Sequence, residues 1–576
     1  MIHREAILHI PLSQYAYAPD ELHLTIRLRA ARDNLSACVL CYGNRVQASN
    51  PLNFVSSPMA VVAQDELFDY FELSFAPGFD RLCYYFELFS ADERLLFCSD
   101  RFMADVPPDR TDLYQYPFIR REELSDVPAW FKEAVVYNIF PDSFASGEGT
   151  LSGEGLNVHL EGGATVKSRH GGTLRGITVN LGYIRELGFN CLYLNPIFTA
   201  GEYHKYDLID YFHIDPCFGS DADFAELVER AHEMGLRVIV DGVFNHCGHN
   251  FFAFVDVIKN GRDSEYADWF YELEFPVAYP QKGERPNYAC FAYEPKMPKM
   301  NTSNPAVRDY FMEVCRHWIS KYHIDGWRLD VANEVDREFW RSFRRTAKAC
   351  KPDCVLIAEI WEGAESWLRG DMFDSTMNYD FRKHCRDFFA LDVIDAATFD
   401  ARLSQMRMRY PSTIVQGQLN LLDSHDVSRF LSLCGGDERR FQLAVLFLAM
   451  FPGVPSVFYG DELGVEGQDE AGYRQPMPWG SVNDMGGFFR QAMLLRKNPA
   501  VTHGDYKVLC AEKGGKLYAI QRTAGEHGIT ALFNGGEAVV TVGELALPAG
   551  PPTWERGWGV DGIGGLGYAV WVEGSP

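Results

Sequence analysis

Apolar and polar positions follow two rhythms in turn along this chain. Up to about residue 120 they alternate with period two, most clearly over 22–28, 68–73 and 84–88, with turn residues between the runs and no helical pattern interrupting them. Alternation sends successive side chains to opposite faces, so these short runs predict a β-sandwich over residues 1–122. From Val135 the rhythm changes to an apolar strand followed by a helix. The run 135–139 reads as a buried strand, after which Leu174, Ile177, Leu181, Ile184 and Leu187 recur at helical spacing until Gly188. Further strand runs fall at 189–194, 237–241, 324–330, 354–360, 373–377, 418–422 and 456–459, with a helix over 224–234. Eight such strands with helices between most of them predict an α/β fold, a closed (β/α)8 TIM barrel over 123–494 whose active site lies at the carboxyl ends of the strands. An open doubly wound sheet is the alternative, but it would not place polar clusters at the ends of so many strands.

A long excursion, about 247–307, interrupts the barrel after its third strand and is dense in Phe251, Phe252, Phe254, Tyr266, Trp269, Phe270 and Tyr288. Insertions of that length usually serve a function. Its aromatics are expected to supply a sugar-stacking wall in part and the insertion's own core for the rest. After about residue 495 alternation returns at 517–520, 529–533, 539–542 and 568–572, predicting a C-terminal β-domain over 495–576. The run 562–567 matches GxGxxG, yet no helix follows, so it reads as a turn and not as a nucleotide site.

Composition narrows the function. The 54 Lys and Arg against 79 Asp and Glu leave a net charge of −25, which argues against nucleic acid or an anionic membrane as partner and favours a neutral substrate. No apolar run approaches the roughly 20 residues of a membrane span, and the first residues lack the apolar core of a signal peptide; the expectation is a soluble cytoplasmic protein. Fourteen cysteines are scattered along the chain, as reduced buried thiols would be. Cys38 and Cys41 have redox spacing, but on a strand they point to opposite faces.

Chemistry gathers at the predicted strand ends. On the fourth strand Arg328 and Asp330 share one face, so a cation should favour an ionised Asp330, a candidate nucleophile. Alone, the pair could be purely structural. Asp241, Asn245 and His246 follow the third strand, Glu359 the fifth, and His425 and Asp426 the seventh, all at the same end of the barrel. Carboxylates crowded into one cleft cannot all ionise, and Glu359, with no cation beside it in sequence, is expected to keep the proton as general acid. A nucleophilic carboxylate facing an acid about 5 Å away is the arrangement of a retaining glycosidase.

The runs 241–246, 326–330, 359–361 and 422–426 resemble, in order and spacing, the four core motifs of the α-amylase superfamily, glycoside hydrolase family 13. Residues 297–301 and 331–334, with the N-terminal β-domain, are similar to its neopullulanase, cyclomaltodextrinase and maltogenic amylase branch. The resemblance implies Asp330 as nucleophile, Glu359 as acid/base and Asp426 as transition-state stabiliser. It also implies that Arg328, His246 and His425 bind the reacting sugar, that Tyr206 stacks on it, that Asn333 and Glu334 shape the acceptor side, and that Trp361 stacks against the leaving group. Asp469 and Arg474 are carried over as binding residues. His204 reads equally as a ligand or as a structural histidine. Tyr473 and Ser143 stand where relatives often carry Arg. The loop with Gly147, Glu148 and Gly149 corresponds to one that binds Ca2+ in some members; no cofactor is required, and a structural Ca2+ is compatible with that loop. The implied activity is hydrolysis of α-1,4, and in some relatives α-1,6, bonds in cyclomaltodextrins, pullulan or short maltooligosaccharides by a homodimer. A transglycosylase on the same scaffold and a non-catalytic glucan-binding protein are the alternatives.

Overall fold

The computed structural model describes all residues except 50–51, 125, 148–150, 152–154, 161–162, 282, 482, 544 and 575–576. Its centre is a closed barrel of eight parallel strands: β1 (Val136–Ile139), β2 (Cys191–Leu194), β3 (Arg237–Gly242), β4 (Gly326–Leu329), β5 (Val355–Ala358), β6 (Ser375–Asn378), β7 (Leu419–Leu421) and β8 (Val454–Phe458), with β8 pairing back to β1. Every residue of β1, β2, β4, β5 and β6 is buried. Strands covered on both faces need no alternation, which is why they read as continuous apolar runs. All eight predicted runs become barrel strands, so the closed barrel stands and the open sheet falls.

Helices cover the barrel where the sequence placed them, with one revision. The segment predicted as a single helix up to Gly188 is two, Leu174–Val179 and Leu181–Glu186. Asn180 separates them, its side-chain amide donating to Gly176 O at 2.8 Å, a local bond that competes with helix continuation. Gly188, at φ 97°, then turns the chain into β2. The helix Asp221–Glu233 begins with a capping box in which Ser220 and Asp223 satisfy each other's backbone N–H groups.

Before the barrel lie two antiparallel sheets of four and six strands, packed over a core that includes Ile26, Leu28, Leu40 and Phe86. Cys38 belongs to that core while Cys41 packs on the opposite face with Cys83 and Tyr85, as strand geometry requires. All fourteen cysteines are free thiols. After the barrel comes a five-stranded antiparallel sheet. Two expectations fail there. Residues 539–542 form only an isolated bridge between Val540 and Ile563, with Val539 left 66% exposed. The GxGxxG run is the start of the long strand Gly562–Glu573 and not a turn; its glycines let other backbone approach, since a Cβ on Gly565 would meet Glu537 O at 2.0 Å. Among the described residues no helix is long and apolar enough to cross a membrane.

Candidate active site

The carboxyl ends of the strands open into a cleft of about 480 Å³. Arg328, on β4 and fully buried, organises its floor. Because β3 and β4 pair in register, Asp241 lies directly across from it, and Nη1 donates to both Asp241 oxygens at 3.1 Å and to Asp330 Oδ1 at 2.8 Å. Nη2 sits 2.8 Å from Glu359 Oε1, off the angle of a hydrogen bond, and 4.0 Å from Asp426 Oδ2. One cation therefore serves four carboxylates. Glu359, which has no cation beside it in sequence, thus has one beside it in space.

The consequence is a crowded negative site. Burial, then the Glu359 charge, push the Asp330 carboxyl well above the ordinary carboxylate range despite Arg328. Arg328 alone therefore does not set the charge of Asp330; burial and the neighbouring carboxylates oppose it. Asp426 goes the other way. Burial opposes its charge, but His425 with Nε2 at 2.9 Å, Arg328 and Arg474 hold its carboxyl below the usual range.

Backbone geometry aims these groups. Val331, directly after Asp330, adopts the left-handed conformation at φ 46° and ψ 45°, costly for a β-branched residue. That turn points its N–H at Glu359 Oε2, 2.9 Å away, while Trp361 Nε1 lies 3.2 Å from Oε1. Trp361 is held by stacking on Tyr379, ring centroids 3.8 Å apart and planes at 7°, and keeps 41% of its surface exposed beside the acid. On the other side His425 stacks under Tyr206 at 5.5 Å and 8°, and its Nδ1 contacts Asn195 at 2.9 Å. Tyr206 OH donates to Asp241 Oδ2 at 3.1 Å. His246 faces the cleft with a buried Nε2 that has no partner among the described residues, and burial followed by the Lys299 charge lowers its pKa to about 3, keeping the ring neutral.

Asn333 and Glu334 line the same cleft, Asn333 donating to Glu362 Oε1 at 3.1 Å. Arg474 lines it too, donating Nε to His425 O at 2.7 Å and Nη2 to Asp426 Oδ1 at 3.3 Å. Asp469 does not. It is exposed, and its carboxylate caps the short helix Glu470–Tyr473 by accepting Gly472 N at 2.8 Å. The adjacent Glu470 reaches the cleft instead and binds Arg474 Nη1 at 2.9 Å. His204 also lines the wall, its ring brought down to about 4 by burial and then by Arg474.

Two family descriptions match the sequence: an α-amylase catalytic domain over residues 138–524 and an α-amylase N-terminal Ig-like domain over 1–120. The chain belongs to the α-amylase family. It is 41% identical over 560 residues to neopullulanase 2 of Thermoactinomyces vulgaris, covering 96% of this chain and 94% of that one. It is 40% identical over 537 residues to a cyclomaltodextrinase of Geobacillus thermopakistaniensis, covering 92% and 91%. A solved cyclomaltodextrinase structure superimposes with a TM-score of 0.89 at 36% identity, covering 99% and 98%. This α-amylase-family chain is accordingly a glycoside hydrolase, and the retaining mechanism is general to its family.

Within this family member the inserted aromatics sort cleanly. Phe251, Phe254, Trp269, Phe270 and Tyr288 are buried in the core, Tyr266 packs against it, and Phe252 is exposed on the surface. The cleft receives Met297, from the run 297–301, and Phe291, which no sequence pattern singled out. Phe291 stacks on His246 at 5.0 Å and precedes two left-handed residues, Ala292 and Tyr293, that turn its loop over the mouth. The described residues next to the loop expected to accommodate Ca2+ make bonds of their own. Asp142 spends its carboxylate on Ser168 and on the N–H groups of Arg169 and His170, and Ser143 donates to Arg474 O at 2.7 Å. Glu148 and Gly149 lie outside the described residues, and among the described ones no group of three His, Cys, Asp or Glu is placed to hold a metal ion.

Proposed function

We propose that the protein hydrolyses α-1,4-glucosidic bonds in cyclomaltodextrins, pullulan or short maltooligosaccharides through a covalent glycosyl-enzyme. The supporting observation is the buried guanidinium of Arg328 in contact with Asp330 and Glu359 at 2.8 Å each, which holds two carboxylates at the floor of one cleft. In this reading Glu359 acts as the general acid and brings a proton to the bound substrate. Glu359 passes it to the glycosidic oxygen as the bond to the anomeric carbon breaks, and Asp330 attacks that carbon. Glu359, now ionised, removes a proton from water, which attacks the same carbon and releases Asp330. Asp426 stabilises the developing positive charge on the sugar, with His246, His425, Arg328 and Tyr206 gripping the reacting ring. The acid must face the leaving oxygen, so Trp361, Asn333 and Glu334 lie on the leaving-group side, and Arg474 and Glu470 on the opposite one.

The polar Asn333 and Glu334 on that leaving-group side favour a second reading, in which a sugar replaces water in the last step. Hydrolysis of β-cyclodextrin, pullulan and soluble starch side by side tests the proposal, with longer or α-1,6-linked products reporting transfer. Release of reducing sugar from at least one is expected; none from any would overturn it. We also assign the protein to the cytoplasm, whose reducing conditions suit fourteen free thiols, and read it as a homodimer.

A further inference from the structure

The run 297–301 takes no part in the chemistry above, yet it borders the cleft. Met297 lines the wall, and two residues on, Lys299 extends its ammonium into the gap between the loop after β3 and the turn after β4. Its Nζ has three acceptors: Asn245 Oδ1, Glu334 O at 3.1 Å and Glu334 Oε2 at 3.2 Å. An ammonium carries three N–H donors, so this tripod is complete. The backbone of Lys299 is fixed as well, bridging His246 in antiparallel fashion and donating to Ala289 O at 2.9 Å. Asn245 is fully buried, whereas the Glu334 side chain is 51% exposed.

A half-exposed ion pair of this kind adds little to stability. It does fix direction. Without Lys299, Glu334 would swing freely in water; with it, one carboxylate oxygen is tied back while the residue lines the cleft, on the side where the proposed mechanism puts the leaving group. We infer that Lys299 is a positioning residue that orients Glu334 to bind the hydroxyls of a sugar leaving group, so that it discriminates sugar from non-sugar leaving groups without touching the reacting bond. The inference rests on the hydrolase reading of the cleft.

Two substrates separate the possibilities. Maltotriose places a sugar on the leaving-group side, while p-nitrophenyl α-maltoside places a flat aryl group there with no hydroxyls for Glu334. In Lys299→Met, kcat/KM for maltotriose should fall about tenfold, mainly through KM, the scale of one lost charge-assisted hydrogen bond. The aryl maltoside should change by less than about twofold, and Lys299→Arg should recover most of the loss. Combined with Glu334→Gln, the maltotriose effects should not add, because both changes break one interaction. Equal losses on both substrates, or additive effects, overturn the inference while leaving the hydrolase reading intact. A wild-type protein that cleaves neither of these substrates nor β-cyclodextrin, pullulan or starch overturns the reading and the inference together. Should Lys299→Met fold poorly, Lys299→Gln, which keeps a donor but not the charge, gives the same comparison.

Discussion

At the level of single residues, the proton balance of the cleft decides what its carboxylates can do. Arg328 offers one positive charge to Asp241, Asp330, Glu359 and, at longer range, Asp426. Burial and Glu359 raise the Asp330 carboxyl, and a carboxyl whose folded pKa is raised contributes its stability below the ordinary value and loses it as pH rises through the folded one. At pH 8 the wild-type site is therefore held together against its own repulsion. Asp330→Asn removes both the proposed nucleophile and that repulsion. Turnover of β-cyclodextrin should drop by about 10⁴-fold or more, while the thermal midpoint at pH 8 stays level or rises, by up to about 1–2 kcal/mol in stability. Glu359→Gln should behave alike, and near-normal turnover in either variant would refute the assignment. These residues were legible because strand periodicity and motif spacing set which face they occupy. Asp469 was misplaced for a local reason: an acidic residue at a helix N-terminus is drawn to cap backbone N–H groups, and that leaves the cleft to Glu470. Phe291 was invisible because its place depends on a left-handed turn that no periodicity encodes.

Among the elements that build the cleft, the hairpin of Phe198–Ala200 and Leu208–Ile214 carries His204 and Tyr206 to it, with Tyr203 OH accepting from Arg474 Nη1 at 3.2 Å beside them. Its loop is built on buried charge. Lys205 pairs with Asp215 at 2.8 Å, both almost wholly buried, and also donates to Lys167 O. Glu202 pairs with Lys167 and Lys296. Asp207 accepts Glu202 N at 2.9 Å, and burial pushes its carboxyl up to about 7, with the Glu202 charge adding to the rise. Its contribution to stability is therefore complete below about pH 4 and is lost as pH climbs through about 7. The thermal midpoint should fall between pH 5 and pH 8 by more in the wild type than in Asp207→Asn, which cannot titrate; identical slopes in scanning calorimetry would remove Asp207 from the account. The barrel strands themselves were readable because apolar runs of four or five buried residues leave little choice. The break at Asn180 and the lone bridge at Val540 were not, since each is decided by one side-chain or backbone bond against otherwise favourable periodicity.

Across the whole molecule, the N-terminal sheets are anchored to the barrel by specific bonds. Buried Arg27, paired with Glu72, donates to Met408 O at 3.1 Å and Tyr410 O at 3.3 Å, and Tyr17 OH meets Ser412 Oγ at 3.0 Å. What these sheets present outward is unusual for a free surface. Strand Val55–Pro58 is an edge of the six-stranded sheet with Val55 54% exposed; Ala60–Gln64, an edge of the four-stranded sheet, runs beside the barrel helix Ala396–Met408 and borders a groove there, yet Val61 and Val62 keep 41–47% exposure, with Leu67 nearby in sequence at 68%. Open edges bearing apolar side chains invite pairing unless they are covered. A second copy of the chain would cover them, but each copy brings a net charge of −25, so association works against electrostatic repulsion that salt screens. Light scattering should give about twice the 65.3 kDa chain mass in 0.3 M salt and a lower average mass in 0.01 M salt, as the Debye length grows from below about 10 Å to about 30 Å. Replacing Val61 and Val62 together by Lys should shift the protein toward monomer at both salt concentrations, because it removes apolar contact and adds unfavourable desolvation at the same edge. A wild-type mass of one chain at both salt concentrations would show that the exposed edges are left uncovered and that the homodimer reading is wrong.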